Sequence, residues 1–252
     1  MRILSIDSSL GTQLAVVDAA PSAAGARALQ VLSQDEQADT RRHAESLGQM
    51  LSRALSAPEA AERPLDAVVA ATGPAPFTGL RAGLVTAGVV GRTRGVPVHG
   101  VSSLDAVARR ALDEFGAQEG QTGPVVLVAT DARRREVYTA LFRANGPDDV
   151  TRLTEIIVCP PAQVAQRLAE QAPGQDGGAG SIDVVAGSGA SLYPELAEMA
   201  SCQKALAPVS GDALTQVRIA LARLERGEEL STQPLYLRHA DVQMPAARKR
   251  VR

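Results

Sequence analysis

The chain has 252 residues, with 26 Lys and Arg against 28 Asp and Glu, a net charge of −2. That balance argues against the strongly basic surface of a self-sufficient nucleic-acid binder. An aromatic content of 2% with no Trp argues against a base-stacking platform, while 45% hydrophobic residues suffice for a large core in one big domain or two small lobes.

In chain order, Arg2 to Ile6 alternates as a strand, and Gln13 to Val17 follows a Ser-Ser-Leu-Gly turn, as in a hairpin. A third strand is predicted at Ala28 to Leu32, after a loop at Ala19 to Ala26. A first helix spans Arg42 to Leu55, with Leu47, Met50, Leu51 and Ala54 on one face. Beyond a loop at Pro58 to Pro64, Leu65 to Ala71 reads as a strand buried on both sides. A second helix spans Thr78 to Arg92. Pro97 to Val101 is a strand, and Ser102-Ser103 can cap a helix from Leu104 to Phe115.

The stretch Gly116 to Gly123 marks a lobe boundary, dividing 1–115 from 116–240 and leaving 241–252 as a basic tail. The second lobe is predicted to hold strands at Val125 to Thr130, Glu136 to Arg143 and Leu153 to Val158, then a helix at Ala162 to Gln171. A linker at Pro173 to Ser181 leads to a strand at Asp183 to Ala186. A last helix, Leu214 to Arg226, is opened by Gly211-Asp212 and can pack back on the first lobe. Strands precede helices in each half, so the halves read as distant copies. The expected class is α/β, a duplicated mixed-sheet lobe rather than a doubly wound dinucleotide fold.

Met1 to Leu10 carries Asp7 inside its only apolar stretch, unlike a secretory signal. Ala67 to Leu80 lacks charge but is broken by Gly and Pro and too short to span a bilayer. Cys159 and Cys202 have no CxxC spacing and read as small apolar residues of a reduced cytosolic protein.

Two segments offer chemistry. Asp7-Ser8-Ser9-Leu10-Gly11 ends the first strand, where turn N–H groups can meet a phosphate while Asp7 holds a metal through water. The simpler reading is an Asx turn with Gly11 at positive φ. Gly73-Pro-Ala-Pro-Phe-Thr-Gly-Leu-Arg81-Ala-Gly83 joins a strand to the second helix. There Thr78 can cap the helix, and Arg81 on its first turn can help its start hold an anion. Gly79, Gly83, Ala87, Gly88 and Gly91 then line that helix, although each helical Gly costs about 1 kcal/mol. Close approach of another helix, within the fold or across an interface, is the expected reason.

Other motifs are weaker. His43-Ala44-Glu45 lacks a second ligand three or four residues on, since Ser46 and Leu47 stand there, so no metal site is expected. Asp131 to Tyr138 reads as a solvated hairpin end or a basic tip for phosphate. Gly187-Ser188-Gly189 alone says little, and the Arg248 to Arg252 tail is an unstructured end or an RNA-touching arm.

Taken jointly, Ile3 to Ser9, Arg42 to Leu47, Gly73 to Gly83, Val101 to Leu104, Asp131 to Tyr138 and Pro234 to Arg238 resemble the TsaB (YeaZ) family. Its members serve the bacterial synthesis of threonylcarbamoyladenosine on tRNA. The resemblance implies an actin/Hsp70-like two-lobed fold and a cytoplasmic, non-catalytic subunit. It further implies pairing with a TsaD-type catalytic subunit, cooperation with a TsaE-type ATPase, and contact with tRNA through the complex. TsaD-type proteins carry two metal-binding histidines on the first helix; here Leu47 fills the second place. The metal is therefore expected in the partner. No intrinsic cofactor is expected, and any ATP or ADP would sit at the partner interface.

Family members pair through the first two helices, as a four-helix bundle. Leu47, Leu51, Phe77, Thr78, Gly79, Arg81, Gly83 and Ala87 are the expected partner-binding residues on that resemblance, with Asp7 and Gly11 a remnant nucleotide cleft. Gly83→Leu is accordingly expected to abolish pairing and leave the lobe folded. One departure is that Ala75-Pro76 replaces the family's Gly-Ser, which stiffens the turn and removes an N–H. Competing readings are a small-molecule kinase of the same fold, a metalloprotease and a homodimeric scaffold. The kinase is disfavoured because Ser8-Ser9 stands where such enzymes carry Gly-Asn-Thr.

Overall fold

The computed structural model describes residues 1–20, 26–38, 43–115, 123–171, 182–201 and 212–237. The sequence-predicted linker at Pro173 to Ser181, most of Gly116 to Gly123, Cys202, His239 and the basic tail lie outside them.

The first half forms β1 (Arg2–Asp7), β2 (Thr12–Ala19), β3 (Leu29–Gln37), α1 (His43–Ser56), α2 (Pro58–Ala61), β4 (Ala67–Ala71), α3 (Phe77–Arg94), β5 (Val98–Val101) and α4 (Ser103–Phe115). Next come β6 (Val126–Asp131), β7 (Val137–Asn145), β8 (Asp149–Arg152), β9 (Ile157–Cys159) and a 3₁₀ turn at Pro161–Gln163. The remaining elements are α5 (Val164–Gln171), β10 (Val184–Ala186), α6 (Ser188–Leu192), α7 (Pro194–Ala197) and α8 (Ala213–Glu225).

The strands build two mixed sheets, ordered β3-β2-β1-β4-β5 and β10-β6-β7-β8, with β9 beside β7. In the first, β1 pairs antiparallel with β2 and parallel with β4; in the second, β6 pairs antiparallel with β7 and parallel with β10. The repeated plan bears out the reading of the halves as copies.

Alternation along each strand supplies both faces of the first sheet. Leu4, Ile6, Leu14, Val16, Val68 and Ala70 pack under α1 and α3, whereas Ile3, Ala15, Val17 and Val69 pack under α8. In the second sheet Val126 and Val128 face α4, while Leu127 and Ala129 face α5 to α7. Thus α4 lies on the second sheet, α8 lies on the first, and these two helices meet between the sheets. Asp212 caps α8 by accepting from the Leu214 and Thr215 N–H groups. No helix among the described residues is long and apolar enough to cross a membrane.

Several local expectations need correction. β3 runs on to Gln37 because its backbone pairs with β2 through Thr12, although its polar, half-exposed residues carry no apolar period. Of the strand expected at Leu153 to Val158, only Ile157 and Val158 lie in a strand, β9; residues 153–156 form the bend after the unexpected β8, where the Leu141 N–H donates to Thr154 Oγ1. α2 occupies the loop expected at Pro58 to Pro64, and α6 and α7 follow the Gly187 turn. Thr78 does not cap α3: the helix opens at Phe77 behind Pro76, with no side-chain cap. The hydroxyls of Ser102 and Ser103 are buried without a partner among the described residues, so neither caps α4. Cys159 is a buried free thiol, pushed up by that burial.

Candidate functional site

Two features meet at the start of α3: the cleft between the lobes, and the outer face of the α1–α3 pair. In the cleft, Asp7 ends β1 and is 3% exposed. Its Oδ1 accepts from the Ser9 N–H at 2.8 Å, an Asx turn, and its Oδ2 accepts from Gln216 Nε2 at 2.9 Å. Both carboxylate oxygens therefore meet protein donors. Gln216 comes from α8, far away in sequence, and no local pattern points to it. Gly11 needs no positive φ, which corrects the expectation; a Cβ there would lie 2.7 Å from the Gln37 carbonyl oxygen.

Burial raises the Asp7 carboxyl above the ordinary aspartate range, opposed by its Ser9 hydrogen bonds. A carboxyl raised in the folded state opposes folding once ionised. The penalty is absent below the ordinary aspartate range and complete above the raised value. Asp7→Asn removes it, and an amide at position 7 can donate to Gln216 Oε1, which now has no described partner. The variant is expected to match the wild-type melting temperature in acid and exceed it at pH 8. A lower value at pH 8 would reject this account.

The cleft itself is nearly shut. Ser9, Pro74 to Pro76, Ser103, Val107, Thr130 and Asp131 help enclose about 10 Å³, which is room for a single water. A neighbouring cavity of about 180 Å³, lined by Ser8, Ser9, Thr78, Gly79 and Arg133 among others, falls short of the roughly 300 Å³ of small ligand sites. Arg133, Arg134 and Arg135 form the opposing hairpin tip at φ of 63°, 54° and 60°, left-handed values that bulky residues seldom adopt.

The α1–α3 pair divides into two faces. Leu47, Gly79, Gly83 and Ala87 are buried against this chain's own first lobe, and Leu51 is half-buried. The family resemblance gives all five to the partner interface; in this lobe Leu47, Gly79, Gly83 and Ala87 are core residues, and Leu51 packs at the core's edge. A Cβ on Gly83 would stand 2.2 Å from Ser8 Oγ, so its close approach is to the β1–β2 turn. Outward from α3 point Phe77, Thr78, Arg81, Val85, Gly88 and Val89, with Val85 64% and Val89 56% exposed. Gly88, and Gly48 on α1, have nothing within 4 Å of an added Cβ. The sequence singled out Phe77, Thr78 and Arg81 but missed Val85 and Val89, although their spacing from Arg81 follows one helical face.

The first-helix histidine pair of TsaD-type proteins is not available here. Leu47 occupies the second position and is 2% exposed in the core, so this helix does not fit that metal. Among the described residues no group of three His, Cys, Asp or Glu is placed to hold an ion.

Two duplicated mixed-sheet lobes with exchanged helices and a narrow cleft between them place the chain in the two-lobed actin/Hsp70-like class. Two solved structures from Pseudomonas aeruginosa share this fold. An uncharacterized protein with similarity to peptidase YEAZ gives a TM-score of 0.71 at 24% identity, over 94% of this chain and 99% of that one. YeaZ gives 0.70 at 22% identity, over 94% and 100%. The family model described as TsaD, tRNA N6-adenosine threonylcarbamoyltransferase, matches residues 30–223, and the chain belongs to that family. An uncharacterized protein of Mycobacterium tuberculosis is 45% identical over 123 residues, 47% of this chain and 53% of the relative. The chain thus spans about half the length of that curated relative in the match.

Proposed function

We propose that this chain is a non-catalytic, cytoplasmic subunit for threonylcarbamoylation of tRNA adenosine, pairing with a TsaD-type catalytic subunit and working with a TsaE-type ATPase. The observation that carries the reading is the outer face of α3, where Val85 and Val89 stand exposed around an open Gly88. Helices meet closely where a small residue is flanked by apolar ones, and an exposed apolar stripe on a well-packed lobe suits a partner helix. The cleft supports the non-catalytic part of the reading, since its adjoining cavities of about 10 and 180 Å³ both fall short of the roughly 300 Å³ of small ligand sites.

The test is co-purification with the TsaD-type protein of the same organism, followed by tRNA threonylcarbamoylation with and without this chain. A stable heterodimer and loss of modification on omission are expected. Val85→Asp, at an exposed position, should leave the melting temperature unchanged and weaken pairing by about thirty-fold or more. Absence of a complex, with ATP-dependent phosphorylation of a small acceptor by the chain alone, would replace this reading with the kinase.

A further inference from the structure

We propose that Arg81 is a carboxylate anchor, braced by aromatic rings at one end of the α3 stripe, and that it makes this face prefer an acidic partner helix over a second copy of this chain. The proposal rests on the pairing reading above and specifies the chemistry of the partner at that face.

Arg81 follows Phe77 and precedes Val85 by four residues each, so the three share one helical face. Its guanidinium carbon lies 3.7 Å from the centre of the Phe77 ring and 5.6 Å from that of Tyr236. The Arg81 Nε donates to Tyr236 Oη at 2.8 Å, and the two rings are 5.0 Å apart. Tyr236 arrives on the segment 228–237, which is tied to the first sheet. The Gly100 N–H donates to the Leu230 carbonyl at 3.2 Å, and the Leu235 N–H donates to the Thr72 carbonyl at 2.9 Å. A long side chain is thereby fixed at the surface before any partner arrives, which lowers the ordering cost of binding. Among the described residues nothing accepts a hydrogen bond from its Nη groups, and that planar fork matches a carboxylate.

The surrounding charge selects the partner. α3 carries Arg81, Arg92 and Arg94 and no Asp or Glu. On α1, the outward Gly48, Gln49 and Ser52 are uncharged, and Arg53 is already paired with Asp35. Glu45, in the first turn of α1, is the one acidic residue of these two helices, so a second copy offers Arg81 one carboxylate from them at most. Antiparallel self-pairing of α3 would set Arg81 towards Arg92, a like-charge contact. A helix with apolar side chains opposite Val85 and Val89, and a carboxylate level with Arg81, complements this face.

The experiment titrates the full chain with the TsaD-type protein at two ionic strengths, using wild type, Arg81→Met and Arg81→Glu. Both variants should melt within a few degrees of wild type, because the ring contacts and hydrogen bond that they lose lie at the surface. Wild-type affinity should fall with salt, Arg81→Met should show a shallower salt dependence, and Arg81→Glu should bind about thirty-fold or more weakly. In sedimentation of the chain alone, Arg81→Glu should self-associate more than wild type, because a self-pair then joins opposite charges. If wild type and Arg81→Glu bind equally, the anchor is refuted while pairing stands. If wild type does not bind at all, the pairing reading is refuted and the anchor with it.

Discussion

Asp149→Ala should destabilise the chain by about 2–3 kcal/mol, the loss of its charge-assisted hydrogen bonds to Arg223 and Arg226. Asp149 is 1% exposed at the start of β8, where its Oδ1 accepts from Arg223 Nε at 3.0 Å and its Oδ2 accepts from Arg226. Arg223 also donates to Asp105 Oδ2 on α4 at 2.8 Å, and Asp105 Oδ1 takes Arg152 at 3.2 Å. Beside this lies a second knot, in which Arg218 of α8 bridges Asp113 of α4 and Asp148. The networks join α8, which packs on the first sheet, to α4 and β8 of the second, so they lock the lobes together. Removing Asp149 leaves the half-buried Arg223 and the exposed Arg226 with one acceptor fewer each. Urea unfolding should show the midpoint falling with little change in slope. Adding Arg223→Met to Asp149→Ala should recover part of the loss, since the stranded cation is then gone. A loss under about 1 kcal/mol would mean that water screens these pairs as it does at an ordinary surface.

None of these pairs can be read from the sequence, because each joins residues brought close only by the exchange of α4 and α8. What the sequence does carry is the local periodicity. β1, β2, β4, β6 and β7 each bury apolar residues on two faces, and their positions follow from alternation and turn residues alone. β8 could not be found that way: Asp149-Val-Thr-Arg152 has no apolar rhythm, and it is a strand because β7 offers it a free edge. Asp7 illustrates the same divide. Its Asx turn with Ser9 is local and legible, whereas its bond to Gln216 depends on α8 returning to the first sheet. Likewise Phe77 and Arg81 were visible as a motif, but the brace from Tyr236 needs the C-terminal segment to cross β5.

The small residues of α3 show where sequence alone gives the right clue and the wrong side. Their density does signal close approach, yet Gly83 faces inward and Gly88 faces outward, and only three-dimensional placement separates them. Gly83→Leu is therefore expected to damage the fold itself, on the order of 3 kcal/mol, instead of leaving a folded lobe that cannot pair. A Cβ there lies 2.2 Å from Ser8 Oγ, 3.1 Å from Ser8 Cβ and 3.5 Å from Ile6 Cγ2. Ser8 cannot simply turn away, because it is buried and its hydroxyl donates to the Gly79 carbonyl at 2.8 Å. The gain in helix propensity, about 0.8–1 kcal/mol for replacing glycine, offsets only part of that. Gly88→Leu is the control: nothing lies within 4 Å of its added Cβ, so the propensity gain should stand and the chain should melt no lower than wild type. Thermal melts of the two variants, read beside their binding to the TsaD-type protein, decide the matter. A Gly83→Leu chain that melts normally but fails to pair would put the subunit contact on the inner face and overturn the division drawn here. Loss of stability in Gly83→Leu, with normal melting and impaired pairing in Gly88→Leu, would fix the contact on the stripe of Val85 and Val89.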